Sequence, residues 1–192
     1  MYICGVDEAG RGPLAGNVYA AAVILNTNDP IAGLKDSKKL SSSKREALFV
    51  EIKQKALAYA ISFSTVEEID RINILQATLL AMQKAINGLK LKPDLVLIDG
   101  THAPNIEIET QTIIKGDDKI AEISAASILA KVARDLSMFE LDLKYPEYGF
   151  KQHKGYGTKI HLEAIRKYGV LSVHRKTFAP IKNFDVTNRL FE

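Results

Sequence analysis

Ile3-Cys4-Gly5-Val6-Asp7-Glu8-Ala9-Gly10-Arg11-Gly12-Pro13 is the stretch on which the reading of this chain turns. A short apolar run that stops at a pair of acids and then a Gly/Pro-rich bend reads as a buried strand ending at a charged site. The same pattern returns with Asp99 after Leu95-Val96-Leu97-Ile98, and with Asp117 after Thr112-Ile113-Ile114-Lys115-Gly116. Open α/β sheets bind ligands just outside the carboxyl ends of their strands, so neighbouring strands would bring Asp7, Glu8, Asp99 and Asp117 to one rim. Like charges packed that closely cannot all ionise unless a cation holds them together. An all-oxygen cluster suits Mg²⁺ or Mn²⁺.

Outward from these runs, periodicity predicts strands over 2–8 and 18–25, a polar loop over 26–36, and a strand over about 58–65. Ser43 with Glu46 predicts a capping box opening a helix whose apolar face holds Ala47, Leu48, Val50, Ile52 and Leu57. Two helical stretches follow, over 66–70 and 74–87, and then the strand ending at Asp99. A partly alternating strand over 106–114 precedes a long helix over 122–144 that opens on the small residues Ser124-Ala125-Ala126-Ser127, which let a backbone approach closely. Beyond Tyr145-Pro146 the composition turns to Gly, Lys, His and Tyr, with a helix over 158–168 and irregular chain after it. The fold class is therefore α/β: a core of about five strands flanked by helices (residues 1–144), and a basic C-terminal helical portion (145–192) of the same structural unit.

With 192 residues, 46% of them hydrophobic, the chain can bury one full core. Its single cysteine, Cys4, sits in a strand-like run and reads as core packing in a reducing compartment. No leader or membrane-length segment is visible, and the expectation is a cytoplasmic monomer with no membrane partner. A net charge of +3 and a pI near 8.8 are mild, but Lys151, Lys154, Lys159, Arg166, Lys167, Arg175, Lys176 and Lys182 crowd the last quarter, with His153, His161 and His174 among them. A basic lobe beside an acidic site is what phosphodiester cleavage needs, with cations for the backbone and carboxylates for metals.

Asp7 and Glu8 point to opposite faces of an ideal strand. Two glycines around Arg11 permit the distortion that would aim both at one site, and Gly10-Arg11-Gly12 leaves amides free to form an anion-binding nest. Asp36-Ser37-Lys38-Lys39-Leu40 reads either as a helix lead-in or as a phosphate contact through Ser37 and Lys38. In His153-Lys154-Gly155-Tyr156-Gly157, glycines on both sides expose a tyrosine able to stack on a base or sugar and bond a 2′-OH, or else a turn tyrosine packed on the core. There is no His-Glu-x-x-His, Walker loop or Gly-x-Ser-x-Gly elbow.

Taken together, Gly5 to Gly16, Asp36 to Leu40, Asn73-Ile74-Leu75-Gln76-Ala77-Thr78, Ile98-Asp99-Gly100, Lys115-Gly116-Asp117, Ile123 to Val132 and His153 to Thr158 resemble, in order, the blocks of the ribonuclease HII family. The resemblance implies a ribonuclease H-like mixed five-stranded sheet with a C-terminal helical portion. It places the metal-binding and catalytic carboxylates at Asp7, Glu8, Asp99 and Asp117, ribonucleotide and phosphate contacts at Gly10, Arg11 and Gly12, and the junction-reading tyrosine at Tyr156; Ser37, Lys38 and Lys154 are expected beside them as further substrate contacts. Asn17 stands where the family usually has proline, and Thr177 where serine is common. The sister family, ribonuclease HIII, normally carries a further N-terminal domain and a glutamate as the fourth acid, and neither is expected here.

The implied reaction is two-metal hydrolysis on the 5′ side of a ribonucleotide, in RNA–DNA hybrids or in duplex DNA with embedded ribonucleotides, leaving 3′-OH and 5′-phosphate ends. Ribonucleotide removal and primer clearance are the implied roles. A junction resolvase would share the acids but need no 2′-OH, and a binding module would lack turnover. The tail ends Leu190-Phe191, which reads either as packing on the C-terminal helices or as a peptide for the replication sliding clamp.

Overall fold

The structure, a computed structural model, describes residues 1–34 and 40–188. Strands β1 (Ile3–Ala9), β2 (Val18–Ile24), β3 (Ala58–Ser64), β4 (Leu95–Asp99) and β5 (Glu109–Ile113) form one sheet in the order β3-β2-β1-β4-β5. The pairs β1–β2 and β2–β3 are antiparallel, whereas β1–β4 and β4–β5 are parallel, so the sheet is mixed as the resemblance implies. Parallel pairing puts the carboxyl ends of β1, β4 and β5 on one edge.

Alternation along the strands builds two cores. Cys4, Val6, Ala20, Ala22, Val96 and Ile98 face helix α2 (Val66–Asn87), where Ala81, Met82, Ala85 and Ile86 cover them. On the other face Ala21 and Val23 pack under α1 (Ser42–Lys55) and α3 (Ala121–Lys144), against Leu48, Ile52, Ala125, Ile128 and Leu129. Gly5 is the contact that sets this second layer: a Cβ there would collide with the backbone of Glu122 and Ile123. The opening turn of α3 can therefore lie directly on β1.

A third cluster joins α3 to the C-terminal portion, which holds α4 (Phe150–His153), α5 (Lys159–Tyr168) and α6 (Ile181–Asn188). Leu14 and Ala15 from the β1–β2 bend pack there with Met138, Tyr148, Phe150 and Ile165. No helix among the described residues is long and apolar enough to cross a membrane.

Several sequence expectations need correction. The cap of α1 is Ser41, whose Oγ accepts from Lys44 N–H at 3.4 Å, not Ser43. Three consecutive serines are chemically equivalent, and the pattern alone does not choose among them. Ala47, Val50 and Leu57, expected on the buried face of this helix, are exposed, and Leu57 lies past its end. The strand expected over 106–114 is only Glu109–Ile113. Helix α6 occupies chain read as irregular, because its polar sequence offers too few apolar repeats. The expected break near residue 73 is a kink: Asn73 adopts φ 70° and its side chain accepts from Gln76 N–H at 3.0 Å, capping the second half of α2.

Candidate active site

Val6 of β1 pairs with Ile98 of β4, so Asp7 and Asp99, the next residue of each strand, stand side by side. Asp7 lies on the α3 face with Gly5 and is almost fully buried. Its Oδ1 accepts from the Glu8 amide at 2.7 Å. Asp99 accepts from the Gly116 amide at 2.6 Å, which ties β4 to the 3₁₀ turn Gly116–Asp118 and brings the buried Asp117 to the same edge. Glu8 pairs with the Arg11 guanidinium at 3.6 Å and, with Gly10 and Tyr156, lines a cleft of about 360 Å³.

Burial pushes the Asp7 carboxyl well above its ordinary value, and the neighbouring Glu8 and Asp99 charges push it further, against a hydrogen bond from Ser127. Glu8 is also raised, chiefly by burial, with Arg11 opposing and Asp99 adding to the shift. This is the electrostatics of an acid cluster that a divalent cation would reverse. The donors are all oxygen, which fits Mg²⁺ or Mn²⁺. The four acids share a rim but do not converge: among the described residues, no three His, Cys, Asp or Glu side chains are grouped to hold a metal ion.

Opposite the acids stand two loops. Gly10 has φ 95°, and the buried Arg134 side chain crosses it where any Cβ would sit. Arg134 donates to Ala15 O at 3.2 Å, and its Nε has no partner among the described residues. Tyr156, 48% exposed, lies with its ring edge beside Gly12, so the Gly10-Arg11-Gly12 bend and the tyrosine form one surface. Arg45 and Lys131 also line the cleft. Lys154 lines an adjoining groove with Lys151 and shares only Arg45 with the cleft. Ser37 and Lys38, like Asp36, lie outside the described residues.

Not every member of the basic lobe is on the surface. Arg175, His161 and His174 are fully buried and His153 nearly so, which corrects the expectation that they belong to a basic lobe facing the phosphate backbone. Sequence reasoning also missed Ser127, Arg45, Lys131 and Arg134. Only their four-residue spacing from 127 to 131, on the helix opening with small residues, signalled that one face of α3 lines a site.

The family model described as Ribonuclease HII matches residues 4–181. The chain is 61% identical over 180 residues to the ribonuclease HII of Vibrio parahaemolyticus, covering 94% of this chain and 85% of that one. Among solved structures it resembles ribonuclease H2 from Pyrococcus horikoshii, with TM-score 0.83, 28% identity and coverage of 98% and 99%. It also resembles the ribonuclease HII of Archaeoglobus fulgidus solved in complex with PCNA, with TM-score 0.79, 26% identity and coverage of 93% and 95%. The chain belongs to the ribonuclease HII family, metal-dependent endoribonucleases that act on RNA–DNA hybrids.

Proposed function

We propose that Asp7, Glu8, Asp99 and Asp117 hold two divalent ions and that the cleft beside them cuts on the 5′ side of a ribonucleotide, leaving 3′-OH and 5′-phosphate ends. The observation that carries this reading is the adjacency of Asp7 and Asp99 at parallel strand ends, with Glu8, Gly10 and Tyr156 lining one cleft. Bound there, the ions would activate a water and stabilise the departing 3′ oxygen. The chain's own residues place the substrate. The amides of the Gly10-Arg11-Gly12 bend receive the phosphate and sugar, and the Tyr156 ring stacks at the RNA–DNA junction with its hydroxyl on the 2′-OH. Arg45 and Lys131 supply positive charge along the cleft for the phosphate backbone. Lys154 extends that charge into the adjoining groove.

The test is cleavage of a duplex carrying one embedded ribonucleotide, assayed with Mg²⁺, with Mn²⁺ and with chelator. Metal-dependent cutting 5′ of the ribonucleotide is expected. Cutting in chelator, or equal cutting of an all-DNA duplex, would overturn the reading.

The buried, lone Cys4 supports work in a reducing compartment, and we place the enzyme in the cytoplasm as a monomer, with residues 1–144 as catalytic core and 145–192 as its C-terminal portion. The Leu190-Phe191 tail lies outside the described residues. The PCNA complex of the archaeal relative supports carrying the clamp reading forward, and unchanged clamp affinity after deleting residues 189–192 would remove it.

A further inference from the structure

His174 and Arg175 are adjacent in sequence and fully buried, yet each reaches a different loop of the cleft. Arg175 donates from Nε to Gly16 O at 2.9 Å, from Nη1 to Arg11 O at 2.9 Å and from Nη2 to Gly10 O at 2.6 Å. In a trans peptide the carbonyl and the following amide point opposite ways. With the Gly10 and Arg11 carbonyls turned onto the guanidinium, the amides of Arg11 and Gly12 face away from it. A lysine could supply one point charge there but not the fork.

His174 leads to the other loop. Its Nδ1 accepts from Leu171 N–H at 2.9 Å, and its Nε2 stands 3.0 Å from His161 Nε2. His161 Nδ1 lies 2.9 Å from Tyr156 O, and a carbonyl only accepts, so His161 carries its hydrogen on Nδ1. His161 Nε2 must then accept, and His174 donates to it. Stacked on His161 at 4.3 Å, His153 donates to Tyr148 O at 2.7 Å and accepts from Gly155 N–H at 3.1 Å. Main-chain bonds close the frame, from Leu14 N–H to Gly155 O and from Arg175 N–H to Leu14 O, both 2.8 Å. Asp70 fastens the segment from behind, accepting from Lys176 N–H, Thr177 N–H and the Thr177 hydroxyl at 3.0, 3.1 and 2.7 Å.

We propose that His174 and Arg175 are positioning residues that hold the Gly10-Arg11-Gly12 amides and Tyr156 in one fixed relation, and that preference for a single embedded ribonucleotide depends on this buried pair. The inference rests on the reading that these two loops contact the substrate. A uniform hybrid offers many 2′-OH groups and tolerates slack between the loops. A lone ribonucleotide followed by deoxyribose does not.

The experiment measures kcat/KM on a single-ribonucleotide duplex and on a uniform RNA–DNA hybrid, for His174→Phe, His174→Gln and Arg175→Lys, each alone and with Tyr156→Ala, beside thermal melts. His174→Phe is expected to lose about tenfold on the single ribonucleotide and markedly less on the hybrid, the worth of roughly one hydrogen bond. His174→Gln, which keeps a donor near the Nε2 position, should recover most of that loss. In the Tyr156→Ala background His174→Phe should change the preference no further, whereas Arg175→Lys, acting through the other loop, still should. If His174→Phe does not fold, His174→Asn, whose amide is too short to reach His161, replaces it. An unchanged preference in Tyr156→Ala alone would overturn the reading of the loops and this inference with it. A changed preference there, with equal losses on both substrates in His174→Phe, would overturn the inference alone.

Discussion

The acid rim holds buried carboxylates and the loops facing it rest on buried histidines and an arginine, and the two sides handle burial in opposite ways. On the rim, burial and then the Glu8 and Asp99 charges raise the Asp7 pKa, burial and the Asp99 charge raise that of Glu8, and among the described residues no three acids converge on a common point. Across the cleft, each nitrogen of His153, His161 and His174 has a partner whose chemistry fits a single neutral tautomer. One wall is electrostatically unfinished and suited to a cation; the other is complete and suited to holding a shape. Recognition can then stay rigid while the acids adjust around metal and substrate.

The largest break in this comparison is removal of a rim charge. Asp7→Asn or Asp99→Asn is expected to lower turnover on the order of 10³-fold or more, because each removes a carboxylate proposed to hold the metal, which nothing else replaces. The fold should survive. Because the folded-state pKa of Asp7 is raised, the metal-free protein loses stability as pH rises from the ordinary carboxylate range through that raised value. At neutral pH Asp7→Asn should therefore melt slightly above wild type in chelator and lose the gain wild type shows on adding metal. Near-normal turnover in either variant would remove both residues from the chemistry.

A second change disturbs the rim through its support. Gly5→Ala places a Cβ on the Glu122–Ile123 backbone, and backbone cannot swing aside as a side chain can. The expected loss is about 3 kcal/mol or more, read as a lower denaturation midpoint, with the Tyr156 wall untouched. A melt within a degree of wild type would mean that α3 shifts freely along the sheet.

Titration with acid probes the other wall. Burial pushes both His161 and His174 down to about 4 from an ordinary value near 6.5. A depressed folded-state pKa means the unfolded chain binds protons first. The stabilisation is thus complete above about 6.5 and falls away as pH drops toward 4. The loss should amount to a few kcal/mol, discounted because protonating one ring disfavours protonating the other. It follows the opposite slope to the metal-free rim. Melts of wild type against His174→Gln between pH 7 and 4 check the sign, and parallel curves would take the histidines out of the acid response.

The same contrast explains what the sequence disclosed. The placement of Asp7 and Asp99 at strand ends was legible because a strand end is a local pattern, but the pairing that makes β1, β4 and β5 neighbours is long-range, and Asp117 lies in the 3₁₀ turn beyond β5. The capping box at Thr65 and Glu68 is equally local, yet the capping box was expected at Ser43 and Glu46 and this one was passed over. Arg175 and His174 were not legible. Their partners lie about 160 residues away for the arginine and 13 for the histidine, and a buried cation with three carbonyls looks in sequence like any surface arginine. Thr177 was passed over as a neutral departure, yet its hydroxyl bonds Asp70, a bond that serine would also make.

The smallest and most discriminating change is at Tyr156, an exposed side chain of the rigid wall that is proposed to meet substrate. Its backbone is held by His161 through Tyr156 O, so altering the side chain leaves the frame in place and isolates the ring. Tyr156→Ala removes a stacking surface worth roughly 1–3 kcal/mol. Tyr156→Phe removes only the hydroxyl, about 1 kcal/mol, or several-fold in kcat/KM on a single embedded ribonucleotide. Neither touches an acid, so metal-induced stabilisation should be unchanged in both. If Tyr156→Ala cleaves the single-ribonucleotide duplex at the wild-type rate, the ring is only packing on Gly12, and recognition of the 2′-OH falls to the Gly10-Arg11-Gly12 bend whose carbonyls Arg175 holds.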